Sequence, residues 1–220
     1  GEQHPMRVLG ALLDEMGMTG PLGADDDGYP WILGYQGPSL SELTGSVVET
    51  VRPFVEAQMA VKSPAELKLI QESCKWGHLA HVLLQRYTRV GLTETEVSQR
   101  ATSEATRAML DTIGPIYRAQ SGLGEGGAFA GYRGQIGRNA AIPHALANNI
   151  TFQPGDVLVT GAAATIWGYN SELERTMIIG EPSEEQRRYF EHMLALQETA
   201  FEAMKPGVRC ADVDRVVRAY

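Results

Sequence analysis

Cysteine is scarce: Cys74 and Cys210 are the only two in 220 residues, and they form no CxxC pair and no disulfide framework. Free thiols in a reducing cytoplasm are the expected state. Long apolar runs are missing as well. None approaches the roughly 20 residues that a membrane span needs, so no membrane is expected as a partner. Gly1-Glu2-Gln3-His4-Pro5 has no basic region leading into an apolar stretch, and nothing here reads as a signal peptide. Clustered bases are absent too. The net charge is −8 and the basic residues are scattered, whereas nucleic acid needs a positive stripe; nucleic acid is excluded as a partner. There is no internal repeat, no low-complexity segment, no HExxH and no phosphate loop of GxxxxGK[ST] order. What remains is an ordinary globular composition, 43% apolar and 21% charged. Asp25-Asp26-Asp27 is most simply a solvated acidic loop.

Periodicity and punctuation divide the chain. From Pro5 to Met16 the residues Val8, Leu9, Leu12 and Leu13 share one helical face, with Gly17 at the stop. A Gly-, Pro- and Asp-rich loop over 19–38 follows, holding an apolar Trp31-Ile32-Leu33. Residues 46–50 read as a strand and 51–59 as a helix. Ser63-Pro64-Ala65-Glu66 has the form of a capping box with proline at the first helical position. The helix behind it carries Leu67, Ile70, Cys74, Leu79, Val82 and Leu83 and ends near Gly91. Thr93-Glu94-Thr95-Glu96 repeats the device for a helix to about Ile113. Glycine loops and strands fill 115–180: Gln153-Pro154-Gly155-Asp156 turns into a buried Val157-Leu158-Val159, and 166–179 reads as two short strands or one bent one. Ser183-Glu184-Glu185-Gln186 opens a third long helix with Phe190, Leu194, Ala200 and Phe201 as candidate buried positions, stopped by Lys205-Pro206-Gly207. A fourth helix begins near Ala211. The chain runs out inside it at Tyr220, which implies a longer parent polypeptide. The boundary between two structural units is expected at 60–62.

Chemistry concentrates in three runs. These are Asn139-Ala140-Ala141-Ile142-Pro143-His144, Gly155-Asp156-Val157-Leu158-Val159, and Gly168-Tyr169-Asn170-Ser171-Glu172-Leu173-Glu174-Arg175-Thr176. Together with Val61-Lys62-Ser63-Pro64-Ala65-Glu66 and Lys205-Pro206-Gly207-Val208, they resemble, in order and spacing, the creatinase, aminopeptidase P and prolidase family. The resemblance covers nearly the whole chain and rests on five motifs in register. It implies an α+β protein of the pita-bread fold, an antiparallel sheet flanked by long helices, here partial. Residues 1–61 would be the C-terminal part of a small α/β N-terminal domain and 62–220 the first part of the catalytic domain.

The metallopeptidases of that family bind a pair of divalent metals through two strand aspartates. Counted from Gly168-Tyr169, the first falls on Gly161, which has no ligand to offer. The second falls on Glu172, and the threonine after it has become Glu174. A normal binuclear site is therefore not expected. Leu173-Glu174-Arg175-Thr176 is similar instead to a run in creatinase, as is the His144–Glu174 separation. The resemblance then implies a metal-independent C–N hydrolase of the creatinase or ectoine hydrolase type, with no cofactor expected. His144 would shuttle a proton between water and leaving nitrogen, and Glu174, with Glu172, would hold and polarise a cationic substrate. The alternative is a Xaa-Pro dipeptidase or aminopeptidase with an altered metal site, in which Glu172 binds manganese, cobalt or zinc. A binding relative without activity is the third reading.

Each of these residues has a plainer use. A lone loop histidine is usually structural, and Glu174 could serve only as a partner for Arg175 or Arg187. Against that, Glu172 and Glu174 at i, i+2 on a strand face the same side, and two carboxylates beside a loop histidine read as a site. Phe129, Tyr132 and Arg133 are candidate substrate contacts on the glycine-rich loop that includes Gly122, Gly124 and Gly126. Tyr169 is counted with them, although packing is its commoner use. His78 and His81, three apart on a helix, lack a third ligand and read as a solvated or half-buried face. The expected partner is a small molecule or dipeptide, and the expected assembly a homodimer.

Overall fold

The computed structural model describes residues 4–28, 37–114 and 127–220, in two compact units, Gly1–Ala65 and Glu66–Tyr220. Trp31-Ile32-Leu33 and Gly122, Gly124 and Gly126 lie outside the described residues. No described helix is long and apolar enough to cross a membrane.

The first unit holds α1 (Pro5–Glu15), β1 (Leu22–Ala24), α2 (Leu40–Thr44), β2 (Val48–Thr50) and α3 (Arg52–Ala60). β1 and β2 pair in parallel, Leu22 opposite Val48 and Ala24 opposite Thr50. A strand therefore opens the stretch expected to be loop. Met6, Leu22 and Leu40 form its small core, with Leu13 and Leu43 against them. The expected apolar face of α1 is not the buried one: Met6 and Gly10 go inward, while Val8, Leu9 and Leu12 stay exposed. The Gly10 position lies close against Leu43, which draws that side of the helix onto α2.

The second unit is built on an antiparallel sheet in the order β3–β4–β5, with β3 at Ala128–Gly131, β4 at Val157–Ile166 and β5 at Tyr169–Ile178. β4 and β5 form one long hairpin from Val157 opposite Ile178 to Ile166 opposite Tyr169. Its two-residue turn, Trp167-Gly168, has positive φ at both positions, 52° and 83°, the twist that suits a tight hairpin. The stretch expected as two short strands or one bent one is thus a single strand, half of a ten-residue pair. The run Gly161-Ala162-Ala163-Ala164 hid it, because alanine carries little strand signal.

Helices α4 (Pro64–Tyr87) and α5 (Glu94–Ile113) contribute one side of the core. Ala80, Leu83 and Leu84 meet Val97, Ala101, Ala105 and Met109, and both sets meet Ala128, Ala130, Leu158, Ala162 and Ala164 of the sheet. The small residues let helix and sheet approach closely. The larger ones, Leu84, Met109 and Phe152, are fully buried and contribute about 2 kcal/mol each. The buried residues of α4 are Ser73, Gly77, Ala80, His81, Leu83 and Leu84; of the expected positions Leu83 is buried and Leu79 packs against the core, while Leu67 and Cys74 are exposed. Ser73 Oγ donates to the Ala164 carbonyl at 2.6 Å, and Ser171 Oγ to the Ser73 carbonyl at 3.0 Å. Along β3, Thr102 and Thr106 of α5 act as a substitute strand. The Ala130 N–H donates to Thr102 Oγ1 at 3.1 Å and the Ala128 N–H to Thr106 Oγ1 at 3.1 Å. The same hydroxyls donate back to the Ala130 and Ala128 carbonyls.

α6 (Glu184–Ala203) and α7 (Cys210–Ala219) close the chain as a helical pair. α6 starts on a complete capping box between Ser183 and Gln186. Its expected buried positions are not buried: Phe190, Leu194 and Phe201 are 41%, 46% and 56% exposed. Phe190 and Leu194 line a cavity of about 810 Å³ shared with Val157, Glu174 and Ile178, instead of filling a core.

His81 is buried at 5% exposure, not half-buried as expected, and its Nε2 lies 3.0 Å from Thr160 Oγ1. That hydroxyl also meets the backbone of Arg175, accepting from its N–H and donating to its carbonyl, which leaves Nε2–H as the donor toward Thr160. Burial, and then the charges of Arg175 and His78, lower the His81 pKa below its ordinary value. The neutral ring is the folded form, so the unfolded chain binds the extra proton between the lowered pKa and about 6.5. Stability is expected to be full above that window and to fall as pH drops through it, by at most about 1.4 kcal/mol per pH unit. Urea unfolding of wild type and His81→Gln at pH 7.5 and 5.5 checks this; equal losses in both would remove His81 as the cause.

Candidate active site

The pleat sorts the hairpin into two faces. Leu158, Thr160, Ala162, Ala164 and Ile166 of β4 are buried toward the helices, and the register places Tyr169, Ser171, Leu173 and Arg175 of β5 on that same side. The opposite face carries Gly161 and Ala163 of β4 across from Glu174 and Glu172 of β5. Paired neighbours stand about 5 Å apart across strands, and the two glutamates about 7 Å apart along β5. Phe129, opposite Ala163, extends the Glu172 row into β3. Both carboxylates thus stand on the face away from the α4 and α5 core, above a floor of two of the smallest residues.

Glu174 forms an ion pair with Arg133 Nη2. Arg133 reaches it from a left-handed backbone, φ 52°, and its guanidinium fills the space above Gly161. A Cβ at 161 would stand 2.9 Å from Nη2 and 3.3 Å from Cζ. The Arg133 Nε is buried without a hydrogen-bond partner among the described residues. Glu172 is exposed and makes no hydrogen bond or ion pair among them.

The other expected contacts divide. Tyr132 points into the core: it is 1% exposed, packs edge-on against Phe152 at 5.2 Å, and bonds Thr88 Oγ1 at 2.5 Å. Burial pushes its hydroxyl pKa up to about 12. As a substrate contact Tyr132 is therefore corrected to a core residue. Tyr169 donates to Glu66 Oε1 at 2.8 Å, which raises its pKa and ties β5 to α4; it lies off the carboxylate face. Phe129 is on that face, 36% exposed. His144 is exposed in the turn after the 3-10 segment Gly137–Ala141, at φ 52°, and no hydrogen bond or ion pair among the described residues joins it to Glu172 or Glu174. His78 is exposed, and no group of three His, Cys, Asp or Glu that could hold a metal occurs among the described residues.

Sequence reasoning missed Glu94, which it read only as part of a helix start. Its carboxylate is 3% exposed and accepts from Gly134 N at 2.8 Å, Asn148 N at 3.0 Å and Ile150 N at 3.4 Å. It therefore binds together the backbone beside Arg133 and the segment that follows His144. Gly134, at φ 75°, lies so close to the Leu146 carbonyl that a Cβ would stand 2.1 Å from its oxygen. No local pattern announces such a clamp, because its partners are 40 to 56 residues away.

The chain is 28% identical over 163 residues to a Xaa-Pro dipeptidase of Pyrococcus horikoshii, covering 72% of this chain and 41% of that protein. It is 25% identical over 203 residues to a creatinase of a Bacillus species, covering 92% of this chain and 47% of that protein. It therefore spans less than half the length of these relatives. The crystal structure of an X-Pro aminopeptidase from Thermotoga maritima shares the fold, with a TM-score of 0.72 at 21% identity, covering 99% of this chain and 56% of that one. The architecture is the pita-bread fold, present here in part. Residues 68–220 match the family model described as Metallopeptidase family M24. That match and the similarity to Xaa-Pro dipeptidases correct the expectation of no cofactor, since the family is described as one of metallopeptidases, and the metal-independent branch read from Leu173-Glu174-Arg175-Thr176 gains no specific support from them. With fold, motif order and the greater part of the sequence in agreement, the chain belongs to metallopeptidase family M24.

Proposed function

We propose that the whole protein hydrolyses Xaa-Pro substrates, a dipeptide in the first instance. The reading is supported by the similarity to a Xaa-Pro dipeptidase, and one observation carries it to the site: Glu172 and Glu174 stand side by side on one face, opposite Ala163 and Gly161. In this proposal Glu172 holds the charged or polar end of the substrate, Arg133 fixes Glu174, and Phe129 lies against the substrate's apolar part. His144 carries the proton from the attacking water to the leaving nitrogen. A cytoplasmic homodimer is the proposed setting, with Cys74 and Cys210 as free, exposed thiols.

The family calls for a divalent metal, and the described residues do not make a site for one. Gly161 has no donor, Glu174 is engaged by a guanidinium, and Glu172 is a single carboxylate. No step is routed through the ion here. The test is turnover of a Xaa-Pro dipeptide by the full-length protein, with creatine as the control substrate. Activity on the dipeptide is expected to disappear with a chelator and return with manganese or cobalt. Hydrolysis of creatine with none of the dipeptide would overturn the proposal.

A further inference from the structure

The loop that carries His144 closes through one neck, with Gly134 on its outgoing limb and Asn148 on its returning one. The outgoing limb is locked to β4: Val159 donates its N–H to the Gln135 carbonyl at 3.0 Å, and Ile136 bridges to Leu158. The returning limb has far less to hold it. Residues 141–144 and 146–149 are exposed, and the Ala145 N–H donates inside the loop, to the Ile142 carbonyl at 3.2 Å. Among the described residues, one hydrogen bond ties 143–149 to the rest of the unit, from the Asn148 N–H to Glu94 Oε1 at 3.0 Å. Oε2 of the same carboxylate takes the Gly134 N–H at 2.8 Å. The limbs touch at this point, where the Gly134 Cα lies against the Leu146 carbonyl.

We propose that Glu94 is a positioning residue for the reaction: holding Gly134 with one oxygen and Asn148 with the other, it closes the neck and fixes where His144 stands relative to β4. This rests on the proton-transfer role given to His144 above and adds the group that sets its place. Glu94 acts through backbone alone. At 3% exposure its carboxylate is shielded from competing water, so the two limbs keep one separation. His144 itself stands in an exposed, left-handed turn, φ 52°, with no tether of its own among the described residues. A reacting group misplaced by about 1 Å costs about a hundredfold in rate, which makes the neck a matter of turnover as well as of folding.

The test is kcat and KM of the full-length protein on a Xaa-Pro dipeptide, for Glu94→Gln and Gly134→Ala, each with and without His144→Asn. Hydrogen exchange of the backbone amides is followed in the same proteins. Glutamine keeps the size and one acceptor oxygen, so one limb is released. Gly134→Ala leaves the carboxylate alone and forces the limbs apart, since its Cβ would meet the Leu146 oxygen at 2.1 Å. Each is expected to lower kcat about tenfold to a hundredfold with KM within about twofold. Each should also speed exchange in 135–149 about tenfold or more while β4 and β5 stay protected. In the His144→Asn background the same changes should cost less than about twofold further, because residues acting as one unit do not add. An unchanged kcat in both single variants, or equal losses with and without the imidazole, would overturn the proposal. Loss of protection across the whole unit, rather than in the loop, would do the same by making Glu94 a purely structural group. A wild type that cleaves no Xaa-Pro dipeptide sinks the functional reading instead; exchange then decides the anchoring, and unchanged rates in both variants overturn it.

Discussion

Replacing Glu94 with alanine is expected to destabilise the protein by about 3 kcal/mol or more, among the largest losses available to a single substitution here. The side chain accepts hydrogen bonds from the backbone of Gly134, Asn148 and Ile150 at 2.8, 3.0 and 3.4 Å. Alanine strands those donors, and each buried, unsatisfied group costs about 1–3 kcal/mol. The longest of the three bonds is weak, which sets the estimate nearer two full penalties than three. Glu94→Gln keeps one acceptor oxygen and should fall between. The measurement is the urea midpoint, with an unchanged slope showing that the loss belongs to the folded state. A loss under about 1 kcal/mol would mean that water takes the place of the carboxylate, and the clamp would not be what holds the segment.

The second large effect is on turnover. His144→Ala is expected to lower kcat on a Xaa-Pro dipeptide by about a hundredfold to ten-thousandfold, the usual contribution of a positioned proton-transfer group, while leaving the fold intact. The structure supports the second half directly: the side chain is exposed and makes no hydrogen bond or ion pair among the described residues. Its backbone is left-handed, φ 52°, which alanine tolerates less well than asparagine. His144→Asn is therefore the cleaner variant, and the two should lose activity alike. A small fall in kcat with both would remove His144 from the reaction; a fall confined to the alanine variant would show that the turn, not the imidazole, matters.

What could be read from the sequence was local. The boxes at Thr93–Glu96 and Ser183–Gln186 are each complete in the structure, because a cap is settled within four residues. The shared face of Glu172 and Glu174 followed from strand alternation alone and is what the register shows. The hairpin was harder. Four small residues in a row, Gly161 to Ala164, have no hydrophobic alternation, and the turn at Trp167-Gly168 lies inside the stretch 166–179 that reads as strand. The buried face of α4 was partly misjudged for the same reason: Ser73, Gly77 and Ala80 do the packing because closeness, not bulk, is what that interface needs. The clamp made by Glu94 and the pairing of Arg133 with Glu174 were beyond local reading. One acts on backbone groups 40 to 56 residues away, and the other depends on a left-handed residue and on a side chain missing from the neighbouring strand.

The threonines of α5 have a further consequence for the sheet as a surface. By satisfying the outward N–H and C=O groups of Ala128 and Ala130, Thr102 and Thr106 leave β3 nothing to offer an incoming extended chain. An edge strand ordinarily invites such pairing and has to be blunted. Here a helix does the blunting with two hydroxyls one turn apart. The sheet can therefore be lengthened from one side only, along β5, and a stray peptide or a partly unfolded neighbour meets a closed margin at the other.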